Sequence, residues 1–337
     1  MAPRLLITGE TFQENVLKTL KARGYQIDLH RAHLDEEALC AAVRDKDAYI
    51  LGGVEFASAR VLRCASRLKI LAVLGVGSAR FVDIAAATDC GILVTNTPQA
   101  NSRATAEMAI ALMLSMARKV PFINQLTKTG RWRNDLVTRT LFHSTLGIIG
   151  MGAIGSLVAD IARHGFDMNI LYANPTAKPP VEQRTGAKRV SLEELVRVSD
   201  VISLHCPLTP ETTNLIDDSQ FRLMHPHALL INTARPHLVD PAALAAALNT
   251  RRIAGCAMDG YYIEPAPSPQ ADPYGLLLLS DEVFAVTSHL AYLTEDSIQK
   301  MCELAAWSVI NVLEGQGRAM PMVNPEALHR KSVDKPG

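Results

Sequence analysis

The sequence predicts an α/β protein built on doubly wound parallel sheets, and three observations support this fold class. Short apolar runs alternate with helix-like segments along most of the chain, as they do where crossover helices join parallel strands. A glycine motif, Gly150-x-Gly152-x-x-Gly155, directly follows one of these runs and precedes a helix-like segment. The length of 337 residues is sufficient for two domains of ordinary size.

The apolar runs fall into two alternating series. The first series predicts strands over residues 4–8, 25–29, 48–51, 70–74 and 93–96, with a helix over 14–22. The second predicts strands over 146–149, 169–172, 201–205, 228–232, 255–259 and 283–287. Further helices are expected over 105–118, 156–164, 192–196, 241–248 and 295–313. Because residues 105–118 have almost no polar face, we expect that helix to be buried between two domains.

The glycine motif has the order of elements that a dinucleotide site requires. Gly150 would allow a sharp turn, Gly152 would let the backbone approach a pyrophosphate, and Gly155 would let the helix pack on the strand. The pyrophosphate would then bind the unpaired N–H groups at the start of the helix. Glycines also mark ordinary turns, but the flanking strand and helix favour a nucleotide site.

Composition argues against several other classes of protein. Lys and Arg together number 34, as do Asp and Glu, so the net charge suggests neither nucleic acid nor an anionic membrane as partner. The six cysteines lack the spacing of a zinc site or a disulfide framework, so we expect no metal and a reducing compartment. No apolar run reaches the length of a signal peptide or a bilayer span, and a cytoplasmic location is expected.

Three residues with complementary chemistry follow late strands. Arg235, Glu264 and His289 come after the predicted strands 228–232, 255–259 and 283–287. Ligands of open parallel sheets bind beyond the carboxyl ends of the strands, where these side chains would converge. A guanidinium can hold a carboxylate, an imidazole can exchange a proton, and a carboxylate can orient that imidazole. Each residue alone also fits an ordinary surface or capping role, and it is their joint placement that predicts a catalytic site.

With these motifs the chain resembles the D-isomer-specific 2-hydroxyacid dehydrogenase family. The resemblance extends from about residue 4 to residue 324 and is specific, because separate motifs occur in the expected order. The matching segments are Gly150-Met-Gly-Ala-Ile-Gly155, His205-Cys-Pro-Leu-Thr-Pro-Glu-Thr212, Ile231-Asn-Thr-Ala-Arg235, Asp259-x-x-x-x-Glu264-Pro265, His289, Val94-Thr-Asn-Thr-Pro98 and Ala104-Thr-Ala-Glu107.

The resemblance implies a domain organisation and an assembly. A Rossmann-type coenzyme domain over residues 100–291 would be inserted into a smaller flavodoxin-like α/β substrate domain made of residues 1–99 and 292–324. Residues 325–337 would form a tail. The protein would be a homodimer that contacts its partner through the coenzyme domain, with the helix 105–118 and the stretch around Trp132 as candidate interface elements.

The resemblance also implies roles for individual residues. His289 would be the acid/base, Glu264 would pair with it and stabilise its protonated form, and Arg235 would bind the substrate carboxylate. Backbone amides around Val76, Gly77 and Ser78 would complete the anion site. Asp259 would hold the nicotinamide carboxamide. The other expected coenzyme-binding residues are Thr105, Gly150, Gly152, Ala153, Ile154, Gly155, Asn174, Cys206, Pro207, Thr212 and Thr233.

Three departures from the family pattern bear on specificity. Asn174 stands where NAD enzymes place an acidic residue on the ribose 2′-hydroxyl, so we expect both NAD and NADP to be used, with NADP somewhat favoured. Pro236 follows Arg235 and would stiffen the arginine loop. Arg80 and Arg103 add positive charge near the expected cleft. If they point into the cleft, a doubly anionic substrate is expected; if they are ordinary solvated arginines on the surface, they say nothing about the substrate.

The sequence therefore predicts an NAD(P)-dependent D-2-hydroxyacid dehydrogenase, or 2-oxo acid reductase, acting on a small anionic molecule. The substrate would be a 2-oxo acid or its D-2-hydroxy acid, including dicarboxylic or phosphonate forms. Two alternatives stay open. Another small oxyanion, such as phosphite, would also fit Arg235 as a hydride donor. A non-enzymatic NAD(H)-sensing protein, like the corepressors of this family, would use the same fold.

Overall fold

The computed structural model describes residues 2–132, 135–316 and 320–329. The chain divides into two compact units. Unit 1 consists of Met1–Asn101 and Leu293–Gly337, and unit 2 consists of Ser102–Tyr292.

Unit 1 is built on a five-stranded parallel sheet with strand order β2-β1-β3-β4-β5. The strands are β1 (Arg4–Thr8), β2 (Gln26–His30), β3 (Ala48–Leu51), β4 (Ile70–Val73) and β5 (Leu93–Thr95). Every residue of β3, β4 and β5 is buried, because helices cover both faces of the sheet and apolar side chains are needed on both. This strand order is that of flavodoxin-like folds.

The helices of unit 1 form two layers. They are α1 (Glu14–Ala22), α2 (Glu36–Val43), α3 (Ala59–Cys64), α4 (Ile84–Asp89) and α12 (Glu295–Leu313). Apolar residues of α1 and α12 form one core with the sheet, and those of α2, α3 and α4 form the other. The long final helix is therefore part of the first unit, although it is distant in sequence.

The segment expected to be a tail from residue 325 is folded as far as His329. Residues Pro325–His329 form a 3-10 helix, in which Ala327 is buried. The fully buried Asn324 accepts a hydrogen bond of 2.7 Å from the amide of Val94 and donates to Thr88 and to the carbonyl of Ile92. The rest of the expected tail, residues 330–337, lies outside the described residues.

Unit 2 is built on a seven-stranded parallel sheet with the order β12-β11-β10-β9-β6-β7-β8. Its strands are β6 (Thr145–Ile149), β7 (Asn169–Ala173), β8 (Lys188–Arg189), β9 (Val201–Leu204), β10 (Leu229–Asn232), β11 (Gly255–Asp259) and β12 (Phe284–Thr287). Counted from β6, the first six strands have the 3-2-1-4-5-6 order of the Rossmann fold, and β12 extends the sheet. The predicted α/β fold class is confirmed.

The helices of unit 2 also cover both faces. They are α5 (Ser102–Ala117), α6 (Val120–Lys128), α7 (Ala153–Phe166), α8 (Pro179–Thr185), α9 (Leu192–Val198), α10 (Asp218–Leu223) and α11 (Pro241–Asn249). Apolar residues of α5, α7 and α8 form one core, and those of α9, α10 and α11 form the other. The apolar helix α5 packs against α7, β10 and β11, so the burial predicted for residues 105–118 is supplied within unit 2.

The predicted strands lie within one residue of the observed ends. The exception is β8, which the sequence pattern did not predict, because two residues are too few to show a period. No helix of the described ranges has the length and hydrophobicity needed to cross a bilayer. The same ranges contain no group of three or more His, Cys, Asp or Glu residues arranged for a metal ion.

Asp200 joins the amino ends of three neighbouring strands of unit 2. Its carboxylate accepts hydrogen bonds from the amide of Thr145, from Arg139 and from His227, at 2.8–3.2 Å. Burial would raise the pKa of Asp200, but these hydrogen bonds and the charge of Arg139 outweigh burial and hold the pKa below its usual value. The ionised carboxylate therefore stabilises the folded state.

We expect Asp200→Asn to lower the free energy of unfolding by about 1–2 kcal/mol at pH 7, because a partly buried charged acceptor of three hydrogen bonds is lost. A depressed folded pKa stabilises the protein above the ordinary aspartate value of about 3.9, and this contribution is lost as pH falls through the folded pKa. Urea unfolding between pH 7 and pH 3 should show the two proteins converging at the acid end. The control is Asp218→Asn at an exposed ion pair with Arg222, which should cost less than about 0.5 kcal/mol. Equal losses in both variants would contradict the assignment.

Candidate active site

The parallel sheet of unit 2 places the predicted functional residues along one edge. Since its strands run in the same direction, their carboxyl ends all lie on the same side of the unit. The residues at or just after these ends are, in sheet order from β12 to β7, His289, Asp259, Asn232, Cys206, Gly150 and Asn174. This order leads from the predicted acid/base to the predicted adenosine end of the coenzyme site.

The glycine turn after β6 depends on residues without a side chain. Gly150 has a φ of +96°, and a Cβ atom added there would lie 2.5 Å from the amide nitrogen of Cys206. A Cβ atom on Gly155 would overlap the carbonyl oxygen of Gly150, so this glycine lets α7 approach the turn. A Cβ atom on Gly152 would meet no heavy atom within 4 Å, so this position faces open space.

The first turn of α7 presents unpaired amides where a pyrophosphate would bind. The helix begins at Ala153 after Gly152, which supplies no side-chain cap, and its first turn has no acidic residue. The N–H groups of Ala153 and Ile154 lie in that turn and have no intrahelical acceptor. After β10, the buried hydroxyl of Thr233 has no hydrogen-bond partner among the described residues. These features fit a bound dinucleotide.

Asn174 connects the glycine turn to the loop after β7. Its Oδ1 accepts a hydrogen bond of 3.1 Å from the amide of Met151, and its Nδ2 donates to the carbonyl of Thr176 at 2.8 Å. The same loop is held by Arg189 of β8, whose guanidinium donates to the carbonyls of Asn174 and Pro175 at 2.9 and 2.6 Å. A neutral amide and a cation thus lie where NAD-specific Rossmann folds have a carboxylate.

His289 and Glu264 form the expected pair. The Nδ1 atom of His289 and Oε1 of Glu264 are 2.8 Å apart, and both side chains are 26% exposed. Because an ionised carboxylate only accepts, Nδ1 carries the proton and Nε2 is left to exchange a proton with a substrate. The amide of Tyr261 also donates to Oε1 of Glu264, at 3.3 Å. The pair is therefore held in one orientation and reachable from solvent.

The buried carboxylate of Asp259 holds the loop that carries His289. Its Oδ1 accepts from the hydroxyl of Thr287 and the amide of Leu290, at 2.6 and 2.9 Å, and its Oδ2 accepts from the amide of Ala291 at 2.8 Å. His289 itself adopts a φ of +60°, which this loop enforces. Three of about four acceptor positions are filled, so one remains on Oδ2 for a ligand N–H.

Arg235 is positioned by a buried asparagine. Asn232 is 1% exposed, and its side chain accepts from the amide of Ala234 at 3.0 Å and donates to the carbonyl of Arg235 at 2.8 Å. The guanidinium of Arg235 is exposed and donates to the carbonyl of Ala234 at 2.7 Å. The buried Pro236 begins a 3-10 turn directly after it. The loop after β10 therefore presents an exposed cation at the carboxyl end of the strand next to β11.

The segment after β9 has structural rather than acid/base features. Burial lowers the pKa of His205 to about 3, so this histidine is neutral, and its Nε2 lies 2.8 Å from the hydroxyl of Ser203. Burial also raises the pKa of Cys206, which keeps the thiol protonated. Thr212 accepts from the amide of Thr209 and donates to the carbonyl of Pro207, both at 2.7 Å, and so closes the loop.

The remaining predicted residues lie in α5 or in unit 1. Thr105 is buried in α5, whereas Arg103 is exposed and 3.6 Å from Glu107 one turn along the helix. Val76, Gly77, Ser78 and Arg80 belong to unit 1 and follow β4.

The turn after β4 offers two free amides. Ser78 donates its amide to the carbonyl of Val76, at 3.0 Å, while the amides of Val76 and Gly77 have no acceptor within the described chain. Arg80 extends over the ring of Phe81, with 5.9 Å from Cζ to the ring centre. Of the three amides predicted for anion binding, two are therefore available.

Sequence reasoning missed three residues that shape the site. Asn232 lies within a recognised motif but was given no role, although an asparagine at the end of a buried strand suggests a loop brace. Thr287 was treated only as the end of a strand. Arg189 gave no signal, because its strand has two residues.

A glycine turn, a His–Glu pair and an arginine at one edge of a parallel sheet are the features expected of an NAD-dependent dehydrogenase acting on 2-hydroxy or 2-oxo acids. The chain belongs to the D-isomer specific 2-hydroxyacid dehydrogenase family, whose NAD binding domain matches residues 110–291. The family resemblance seen in the sequence is thereby confirmed.

Relatives and solved structures agree with this placement. The chain is 35% identical over 347 aligned positions to a glyoxylate reductase of Thermococcus onnurineus, covering 100% of this chain and 99% of the relative. A crystal structure of a Thermus thermophilus protein matches with a TM-score of 0.83 and 34% identity, covering 94% of this chain and 99% of that one. The D-lactate dehydrogenase of Lactobacillus jensenii, solved with NAD+, matches with a TM-score of 0.80 and 28% identity, covering 95% and 99%.

We expect Gly150→Ala to destabilise the protein by about 2 kcal/mol or more and to weaken NADH binding, because the left-handed backbone and the contact with Cys206 both oppose a Cβ atom. Thermal unfolding and NADH fluorescence titration measure the two effects. Gly165→Ala is the matched control, since a Cβ atom at that position in α7 meets nothing within 4 Å. It should leave NADH affinity unchanged. Unaltered NADH affinity in Gly150→Ala would contradict the role given to the turn.

Proposed function

We propose that the protein reduces a small 2-oxo acid with one carboxylate, of which glyoxylate is the first candidate, and that it uses NADH or NADPH. The observation that carries this proposal is the 2.8 Å contact between His289 and Glu264 at the carboxyl edge that also presents Arg235. The name of the Thermococcus onnurineus relative supports the choice of glyoxylate. For larger 2-oxo acids the product would be the D-2-hydroxy acid.

Each residue of the edge has a defined task in this reaction. Arg235 binds the substrate carboxylate and draws electron density from the neighbouring carbonyl. His289 donates its Nε2 proton to the carbonyl oxygen during reduction and takes it back during oxidation. Glu264 stabilises the imidazolium and fixes the ring through Nδ1. The bound coenzyme supplies or accepts the hydride.

In unit 1, the free amides of Val76 and Gly77 support a role in binding the substrate anion. Each of the two arginines that suggested a doubly anionic substrate has a neighbour on its own stretch of chain. Arg103 lies 3.6 Å from Glu107, and Arg80 lies over Phe81. We therefore propose a monocarboxylate as the substrate.

The use of both coenzymes is supported by the absence of a carboxylate at position 174. The side-chain amide of Asn174 can hydrogen-bond ribose hydroxyls, and it does not repel a 2′-phosphate. The neighbouring cations Lys178 and Arg189 add positive charge to the same loop. We therefore expect NADPH to be accepted at least as well as NADH.

The test measures initial rates of reduction with NADH and with NADPH. The 2-oxo acids compared are glyoxylate, pyruvate, hydroxypyruvate, oxaloacetate and phosphonopyruvate. Phosphite is tested as a hydride donor to NAD+ and NADP+. Glyoxylate should give the highest kcat/KM, and His289→Ala should lower kcat by about 10²- to 10⁴-fold, because the proton donor is lost. The control is His143→Ala, which changes an exposed histidine paired with Asp167. Preferred turnover of oxaloacetate or phosphonopyruvate would contradict the monocarboxylate, and phosphite oxidation alone would contradict the reaction.

We also propose that the protein is a homodimer joined through unit 2. No residue of the amphipathic helix α6 is buried in the single chain, which leaves Val120 and Ile123 exposed. Trp132, Val137 and Phe142 follow in the chain and are 82%, 86% and 58% exposed. Large apolar residues close together in sequence and exposed to this degree mark a protein–protein interface.

Replacing Trp132 and Val137 together with Asp should shift the protein from dimer to monomer, because two charges would then have to be desolvated in the interface. Size-exclusion chromatography with light scattering measures the mass directly. The matched control replaces the exposed Val54 of unit 1, which is 75% exposed, with Asp and should leave the dimer intact. A wild-type protein that is monomeric at micromolar concentration would contradict the proposal.

A further inference from the structure

Arg189 lies beside the loop that would surround the ribose of the coenzyme. It belongs to β8, the edge strand that pairs with β7, and it is aligned with Tyr172 in the register. The loop that begins at Asn174 follows β7 directly. In Rossmann folds the end of this second strand is the position that contacts the 2′ group of the adenosine ribose.

The guanidinium of Arg189 is held in place by the backbone of that loop. Its Nε donates to the carbonyl of Asn174 at 2.9 Å, and its Nη2 donates to the carbonyl of Pro175 at 2.6 Å. Two of the five N–H donors of the guanidinium are used in these hydrogen bonds, and the other three remain available. A guanidinium fixed in this way loses less freedom on binding an anion than a mobile side chain does.

The charge of Arg189 is not neutralised by a nearby acid. Within the described ranges, no carboxylate lies within ion-pair distance of its side chain, and its two hydrogen-bond acceptors are neutral carbonyls. Glu182, an acidic residue of α8, instead accepts a hydrogen bond from the hydroxyl of Tyr172. The exposed guanidinium of Arg189 is therefore available to bind an anion.

The neutral side chain of Asn174 completes this arrangement. Its amide is oriented by Met151 on one side and by Thr176 on the other. A carboxylate at the same position could not donate to the carbonyl of Thr176 and would face an added phosphate with like charge. The loop thus combines one ordered cation with one neutral residue where a phosphate ester would lie.

We infer that Arg189 binds the 2′-phosphate of NADPH and is the residue that gives the protein its use of this coenzyme. This inference rests on the proposed function and names the side chain behind its coenzyme choice. The phosphate accepts the remaining N–H donors of the guanidinium, while the ribose hydroxyl of NADH leaves them to water.

The test compares wild type, Arg189→Gln, Arg189→Lys and Lys188→Gln. Lys188→Gln is the matched control, because it removes one positive charge from the adjacent residue of the same strand, where side chains point to the opposite face. Calorimetry measures the binding of adenosine 2′,5′-bisphosphate and of ADP without any reaction. Initial rates of 2-oxo acid reduction with NADPH and NADH are measured alongside, and circular dichroism verifies folding.

Arg189→Gln also removes the two hydrogen bonds that hold the loop, so it should weaken ADP binding slightly; it should weaken bisphosphate binding roughly tenfold more than that, with the same selective loss in kcat/KM for NADPH. Arg189→Lys should recover part of this loss, and Lys188→Gln should show none of it. An equal loss for both nucleotides, or no loss, would overturn the role of Arg189 while leaving the proposed function standing. A wild-type enzyme that reduces 2-oxo acids only with NADH would instead overturn the proposed coenzyme use.

Discussion

The parallel hydrogen bonding of the sheet in unit 2 is the constraint on which the site depends. Parallel strands all end at the same edge of the sheet. Each crossover helix therefore carries the chain back to the opposite edge, where the next strand begins. Residues separated by more than a hundred positions, such as Gly150 and His289, are thereby placed along one line. No local interaction between them is needed to achieve this.

Within that edge, buried polar side chains hold the loops that carry the predicted catalytic residues. Asn232 braces the loop of Arg235, and Asp259 gathers the loop of His289 through three hydrogen bonds. Asn232 and Asp259 are buried, so a donor or acceptor of theirs that lost its protein partner could not hydrogen-bond water instead. Its loss would therefore destabilise the folded state. The side chains of Arg235 and His289 can therefore be accessible to solvent while the loops that carry them stay fixed.

The two ends of the edge differ in electrostatic design. At the end of β12, the imidazole of His289 is hydrogen-bonded to the carboxylate of Glu264. Near β7 and β8, the side chain of Asn174 is neutral, and the guanidinium of Arg189 donates only to backbone carbonyls. The positive charge of Arg189 therefore faces solvent without a neutralising carboxylate among the described residues. The same sheet thus places a carboxylate–imidazole pair at one side and an exposed guanidinium beside a neutral amide at the other, and the glycine turn lies between them.

The sequence by itself determined the fold class, nearly all strands and the candidates for catalysis, because hydrophobic period and motif order are local properties of the chain. The tertiary structure alone revealed the short strand β8, the braces of Asn232 and Asp259, and the pairing of the apolar helix α5 within unit 2. These features arise from contacts between segments distant in sequence, and two residues such as Lys188–Arg189 show no period. Which strand neighbours which is decided by packing, and only that arrangement brings Arg189 to the loop of Asn174.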